Sequence, residues 1–237
     1  MKARNLRALA TRVNAAQLGT VLWRLPYFQQ LEYLSIGYTD LDRLQLARLY
    51  DGLPRAFITC SKVDGKSDYE FPEDDRLGAI GRSLDQRRFE DATAALDDMV
   101  SSLNLRRPLL SVNLHTKLLT LCVRTRRLAS EAEQDRGRRQ AMAEEALKWA
   151  DRVLSILPQN AEACWYLDYH ALWLVRLQCI YARAVGLALR ASPDAGGANA
   201  ALDLAQSELD RFLLPVNAHW HGNESAVVGN LRIRIPG

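Results

Sequence analysis

Two prolines, Pro158 and Pro193, lie 35 residues apart, and each closes an alanine-rich segment with helical spacing of its apolar residues. Proline ends a helix because it lacks an N–H donor and its ring clashes with the preceding turn. The segment that ends at Pro158 carries the small residue Ala146 and, seven residues later, Val153. This spacing of helix-ending prolines constrains the fold more than any other feature, because it predicts a scaffold of stacked helices.

Apolar residues at spacings of three and four predict helices over most of the chain after Asp74. The predicted helices are 75–84, 87–103, 109–129, 141–157, 161–191 and 198–214. Before them, we predict helical segments at 1–18, 27–36 and 40–50, one strand-like run at 55–60 and a loop at 61–72. After Pro215 we predict a loop and then an extended stretch at 226–235, which can pair with the strand-like run.

The sequence around Pro158, in which a helix is followed by Asn-Ala-Glu-Ala, an aromatic pair and leucine, resembles the seam between two tetratricopeptide repeats. In a unit counted from Ala161, Cys164 falls where the family prefers tryptophan, Leu167 where it prefers leucine, and Ala188 at a small crossing position. The resemblance covers about residues 75–214 and implies antiparallel helical hairpins that stack and share a core.

Three features depart from the family pattern. Asp168 stands where a small residue lets the two helices touch, and the stretch from Pro108 to Pro158 is longer than one repeat. No turn residue separates the two implied helices between Val175 and Cys179, so 161–191 can also form one long helix. We therefore describe the chain as similar to tetratricopeptide repeats.

The resulting prediction is a mainly α fold: a tetratricopeptide-like solenoid with an N-terminal helical extension and a short extended C-terminal tail. Its segments are an N-terminal helical part with one strand-like run at 1–72, the repeat region at 73–215, and a loop and extended tail at 216–237. In such a stack the first helix of each hairpin lines the concave side. The inward-facing residues would then be Glu162, Trp165, Tyr169, Leu172 and Trp173.

Trp165, Tyr169 and Trp173 repeat every four residues and form one aromatic stripe. Aromatic side chains supply much of the binding energy at protein interfaces. The stripe therefore indicates a non-enzymatic interaction module that binds a protein or peptide in a helical groove, such as a bacterial adaptor, chaperone or immunity-type protein. The alternative is that the stripe is simply part of the core.

Charge and cysteine content bear on other classes of function. The chain has 31 basic and 28 acidic residues, and this balance does not by itself indicate nucleic acid. Arginine clusters at 106–107, 124–127 and 136–139 keep nucleic-acid binding open as a weaker alternative. Four cysteines lie far apart with no Cys-x-x-Cys pair, which favours a reducing, cytoplasmic location. No charge-free stretch of about 20 apolar residues occurs, so we expect no membrane partner.

Two motifs were considered for chemistry. Gly65-Lys66-Ser67 lacks the glycine that a phosphate-binding loop needs five residues earlier, where Cys60 stands, and an acidic stretch follows it. His219 and His221 could hold a metal if they lay on a strand, and this loop is the basis of the alternative hypothesis of an enzyme or metal-dependent protein. We predict no cofactor, and the sequence does not determine the oligomeric state.

Overall fold

The computed structural model describes residues 8–11, 28, 30–158, 169–215 and 217–234. This part of the chain is mainly helical, with three β-strands and eight α-helices. The elements in chain order are β1 (Ala8–Thr11), β2 (Tyr33–Leu41), α1 (Arg43–Gly52), β3 (Phe57–Val63), α2 (Pro72–Asp85), α3 (Phe89–Ser102), α4 (Val112–Ala132), α5 (Arg136–Ile156), α6 (Tyr169–Leu189), α7 (Ala195–Glu208) and α8 (Ala218–Arg234). A short π-helical turn, Leu209–Leu213, connects α7 towards α8.

The three strands form a parallel sheet in the order β1-β2-β3. Leu34 in the middle strand pairs with Leu9 on one side and with Ile58 on the other. The strand predicted at 55–60 is confirmed, whereas the helices predicted over 1–18 and 27–36 are wrong where β1 and β2 lie. Parallel strands need a long crossover connection, and α1 supplies it between β2 and β3.

Strand β2 was mistaken for a helix because both of its faces are buried. Tyr33 and Ser35 are buried on one side of the pleat, and Leu34 and Ile36 are buried on the other. A strand covered on both faces shows no alternation of apolar and polar residues, and a short apolar run then fits a helix equally well. The polar atoms inside this layer find partners, since the Tyr33 hydroxyl lies 3.5 Å from the Thr59 hydroxyl.

Helix α1 begins with a capping box, which explains why it starts where it does. The Asp42 carboxylate accepts a hydrogen bond from the Gln45 backbone N–H at 2.6 Å, and the Gln45 side chain accepts one from the Asp42 N–H at 3.1 Å. This reciprocal arrangement satisfies two N–H groups that a helix end leaves free. The predicted helix at 40–50 is confirmed, with its cap at Asp42 instead of Thr39-Asp40.

Helices α2 to α7 pack as successive neighbours, and α4 also contacts both α2 and α6. Two contacts fix the direction of α2 against α4. Asp68, just before α2, accepts a hydrogen bond from Ser111 at 2.5 Å, and Asp74 in α2 pairs with Lys117 at 2.7 Å. Both contacts join residues 43 positions apart, so α2 and α4 run parallel and side by side.

Two clusters of buried apolar side chains hold these elements together. The first extends from the sheet through α2 to α6 and includes Ile58, Leu77 and Leu118. The second joins α6, α7 and α8 around Tyr181 and Leu202. The sheet and the helices that follow it therefore share one core, and α6 contributes to both clusters.

The C-terminal segment is helical, so the prediction of an extended tail over 216–237 is wrong for residues 218–234. The pairing of 226–235 with the 55–60 strand is also wrong, because α8 packs on α7 and the π-helical turn. The weak alternation of Leu231 and Ile233 was misleading: Val228 and Leu231, at helical spacing, face the core, and Ile233 is 85% exposed. Three alternating positions are too few to distinguish a strand from the end of a helix.

Helix α6 runs without a break from Tyr169 to Leu189. The turn that the repeat resemblance implies between Val175 and Cys179 is therefore not formed. Within the described residues, Ala171–Leu189 is the one helical stretch long and apolar enough to cross a membrane, and 67% of it is buried inside the protein. Core helices of soluble proteins meet the same criterion, so this stretch is weak support for a membrane span.

A buried histidine links the sheet to α4. The His115 ring stacks on Phe57 with centroids 4.9 Å apart, and its Nε2–H donates a hydrogen bond to the Leu105 carbonyl at 2.9 Å. Burial lowers the pKa of His115 to about 4, and the hydrogen bond offsets part of that shift. The ring is therefore neutral in the folded protein at pH values where the unfolded chain binds a proton.

We predict that this histidine makes the protein acid-sensitive. The pKa of His115 is lower in the folded state than its ordinary value of 6.5. The folded state is therefore fully stable, as far as this histidine is concerned, above pH 6.5, and it loses stability as the pH falls towards 4. The free energy of unfolding should fall by roughly 2 kcal/mol between pH 7 and pH 5 on this account. In urea titrations, His115→Phe should remove this dependence while keeping the ring stack. His219→Gln, on exposed α8, should leave it unchanged; an unchanged slope in His115→Phe would contradict the assignment.

Candidate functional site

A groove of about 450 Å³ crosses α2, α4 and α6 on one side of the helical layer. We call it the three-helix groove. It is lined by Leu77, Gly78, Gly81, Arg82 and Asp85 of α2, by Asn113, Thr116, Lys117, Thr120, Leu121 and Arg124 of α4, and by Ala171 and Leu174 of α6. Its residues combine apolar side chains with a small number of charged groups, as is usual for binding sites.

Small residues on α2 keep the groove open. A Cβ atom added at Gly81 would meet no atom within 4 Å, and one added at Gly78 would meet the Arg82 guanidinium at 3.4 Å. Glycine in the middle of a helix costs about 1 kcal/mol relative to alanine. The buried side chains of Leu77 and Leu121 form apolar parts of the groove wall.

The polar side chains of the groove fall into two groups. Lys117 pairs with Asp74 at 2.7 Å, and the Asn113 amide donates a hydrogen bond to Asp68 at 2.9 Å. Arg82 and Arg124 are exposed, and neither forms a side-chain ion pair or hydrogen bond with another described residue. The groove thus presents two guanidinium groups whose hydrogen-bonding capacity is not used within this part of the chain.

The predicted site residues do not line this groove. Leu172 and Trp173 are only 6% and 3% exposed, so the prediction that they face a partner is wrong. Leu172 packs in the first core cluster and Trp173 in the second. Tyr169 lies at the first residue of α6, and Glu162 and Trp165 lie outside the described residues.

Leu172 and Trp173 are buried because α6 is surrounded by neighbours. Helices α4, α5 and α7 all contact it, so most of its faces are core faces, and the groove face is the narrow one with Ala171 and Leu174. The sequence prediction also missed every groove residue on α2 and α4. A usable signal was Gly78-x-x-Gly81, two glycines on one face of a helix that no turn explains.

The arginine cluster at 124–127, which kept nucleic-acid binding open, has two members inside the protein. Arg126 is 3% exposed, pairs with Asp97 and with Glu145 at 3.1 Å, and lies over the Trp149 ring at 4.0 Å. Arg127 is also buried and pairs with Glu131 at 2.5 Å. Arginines neutralised in this way contribute little to the field that phosphates would meet.

His219 and His221 lie on helix α8, where the two side chains diverge, and not on a strand. His221 Nε2 lies 2.7 Å from Asp210 Oδ1 and 3.5 Å from the Ser225 hydroxyl. A hydrolytic triad needs the acid and the serine on opposite ring nitrogens, and here both approach the same one. The hydrogen bond from His221 lowers the pKa of Asp210, with a smaller contribution from Gln206.

Metal ligation and thiol chemistry are two further kinds of activity that the described residues bear on. No group of three or more His, Cys, Asp or Glu side chains there is placed to hold a metal ion. Burial raises the pKa of both Cys122 and Cys179 to about 12, so neither supplies a thiolate nucleophile near neutral pH.

Comparisons with protein families, curated proteins and solved structures each gave no match for this chain. The groove itself therefore carries the functional information. Its geometry can hold an extended segment or a helix of a partner against an apolar wall, with two guanidinium groups available for hydrogen bonds.

One glycine in the groove, Gly81, and one at the contact between α5 and α6, Gly186, test the helix packing. Gly81→Ala should raise the free energy of unfolding by about 0.5–1 kcal/mol, because the new methyl group enters open space and alanine favours helix. Gly186→Ala on α6 should lower it by about 1–3 kcal/mol, because its Cβ would lie 2.8 Å from the Leu147 Cβ and 2.9 Å from the Ala143 carbonyl. Urea titrations measure both, and equal signs would contradict the packing described here.

Proposed function

We propose that this chain is a protein-interaction module that holds a segment of a partner protein in the three-helix groove. The observation that carries the proposal is the combination of an open, apolar floor with Arg82 and Arg124, whose guanidinium groups make no ion pair with other described residues. Unused hydrogen-bonding groups beside apolar surface are what a binding site needs, and a purely structural surface gains nothing from keeping glycine at Gly81.

The arrangement of the helices supports a repeat architecture of the tetratricopeptide kind as part of the proposal. Successive pairs α2/α3, α4/α5 and α6/α7 are in contact, and the first helices of these pairs also touch each other in order. In stacked helical pairs the first helices line the concave surface, and a ligand lies across them. The three-helix groove crosses these first helices.

The proposed activity is binding without chemistry, as expected of an adaptor, a chaperone or an immunity-type protein. Such proteins act by holding or covering another protein, and a groove is sufficient for that purpose. A cytoplasmic location is consistent with the three buried free thiols at Cys60, Cys122 and Cys179. The enzyme and nucleic-acid alternatives gain no specific observation from the described residues.

The proposal predicts that a partner contacts the groove and that filling the groove displaces it. A photo-crosslinking amino acid at Thr120, inside the groove, should capture a partner in cells that produce the protein. The same amino acid at Lys148, exposed on α5, should not. Adding Gly81→Trp to the Thr120 protein should reduce the crosslinked product at least about tenfold, because the indole would occupy the space of the ligand.

Gly81→Ala is the matched control for the tryptophan variant. It should keep the crosslink, since a methyl group leaves most of the groove open. Circular dichroism and thermal unfolding of both variants separate loss of binding from loss of fold. Equal capture from Thr120 and Lys148, or capture that survives Gly81→Trp in a folded protein, would show that partners bind elsewhere.

A further inference from the structure

The proposed function leaves the chemistry of the bound segment open, and the charges of the groove restrict it. We infer that the three-helix groove recognises an acidic peptide segment, with carboxylates of the ligand paired to Arg82 and Arg124 and its apolar side chains against Ala171 and Leu174. This inference rests on the proposed function, since it names the partner of the same groove.

The charges of Arg82 and Arg124 are the first feature of the groove that bears on its ligand. Some exposed arginines elsewhere have acidic partners, as Arg76 has Asp98 at 2.6 Å and Arg183 has Asp151 at 3.1 Å, and others, such as Arg136, have none among the described residues. Even in the groove, Lys117 is neutralised by Asp74. Arg82 and Arg124 have no such partner among the described residues, so their charge is directed to whatever occupies the groove.

The position of the two arginines relative to each other follows from the register of α2 against α4. The contacts that join α2 and α4 connect residues 43 positions apart. The same offset places Arg82 level with the residue that follows Arg124, so the two guanidinium groups come from neighbouring helices at one end of the groove. Two like charges at this end repel each other, and an anion between them removes that repulsion.

The guanidinium groups of Arg82 and Arg124 are suited to bind carboxylates. Its planar fork forms two parallel hydrogen bonds with a carboxylate, which gives both charge and geometry to the recognition. The one acid that lines the groove, Asp85, leaves the pair of arginines in excess once Lys117 is counted with Asp74. The excess is one positive charge, so a ligand that carries carboxylates complements this end.

The apolar part of the groove distinguishes a peptide from other anions. Leu77 and Leu121 are buried in the wall, and Leu174 and Ala171 are partly exposed beside them, so the ligand must offer apolar groups as well as negative charge. A nucleic acid would need many more phosphate contacts to bind tightly at physiological salt. A peptide that interleaves Asp or Glu with apolar residues satisfies both requirements.

The test uses the full-length protein and three fluorescein-labelled dodecapeptides, read by fluorescence anisotropy. One peptide alternates Glu with Leu and Phe, the second replaces every Glu with Gln, and the third replaces every Glu with Lys. The Glu peptide should bind at least about tenfold more tightly than the Gln peptide, and its affinity should fall as salt rises from 50 to 300 mM.

Variants assign the effect to the two arginines. Arg82→Gln and Arg124→Gln should each weaken the Glu peptide about fivefold or more and reduce its salt dependence. Arg136→Gln, an exposed arginine at the start of α5 outside the groove, is the matched control and should change little. The double variant Arg82→Glu/Arg124→Glu should prefer the Lys peptide, which a general loss of structure cannot produce.

Several results would overturn the inference. Equal affinity for the Glu and Gln peptides would show that the groove does not recognise carboxylates. The same conclusion would follow if the Arg82→Gln and Arg124→Gln variants bound the Glu peptide as tightly as the unaltered protein does. Displacement of the Glu peptide by a phosphorylated peptide or a single-stranded oligonucleotide at lower concentration than by unlabelled Glu peptide would assign the arginines to phosphate. If Gly81→Trp still removes the Thr120 crosslink in these cases, the groove binds a partner and only the preference for acid is wrong.

Discussion

The burial of α4 is the constraint on which the rest of the structure depends. This helix contacts β3, α2, α3, α5 and α6, so much of the first core is built against it. Most of its residues are buried, and its exposed positions form a narrow strip that includes Asn113, Lys117 and Arg124. The groove is where that strip meets α2 and α6, and its position follows from the packing of α4.

Burying α4 places charged side chains in the interior, and acidic side chains on neighbouring helices pair with them. Arg126 reaches acids on α3 and α5, Asp97 and Glu145, and lies over Trp149, so one side chain ties three helices together. Removing one partner of a buried ion pair costs far more than the pair contributes, because a charge is left without compensation. The paired arginines therefore act in the fold.

The helical part of the fold was predictable because periodicity over a dozen or more residues is a strong signal, and α3, α4, α5 and α7 lie close to the predicted ranges. The parallel sheet was not, because strands buried on both faces carry no alternation. The site was missed for a different reason. Which face of α6 meets a groove depends on how many neighbours surround it, and the sequence around Trp173 does not contain that information.

Helix α6 serves both core clusters and also supplies one wall of the groove. Val175 and Cys179 pack into the first cluster, and Leu177 and Ala184 pack into the second. Any shift of α6 towards or away from a ligand would have to disturb both cores at once, and close-packed interiors resist such displacement. The wall is therefore held in place before a ligand arrives. If the proposed segment binds here, the entropy lost on binding falls mainly on that segment, and its own conformational preferences contribute to selectivity.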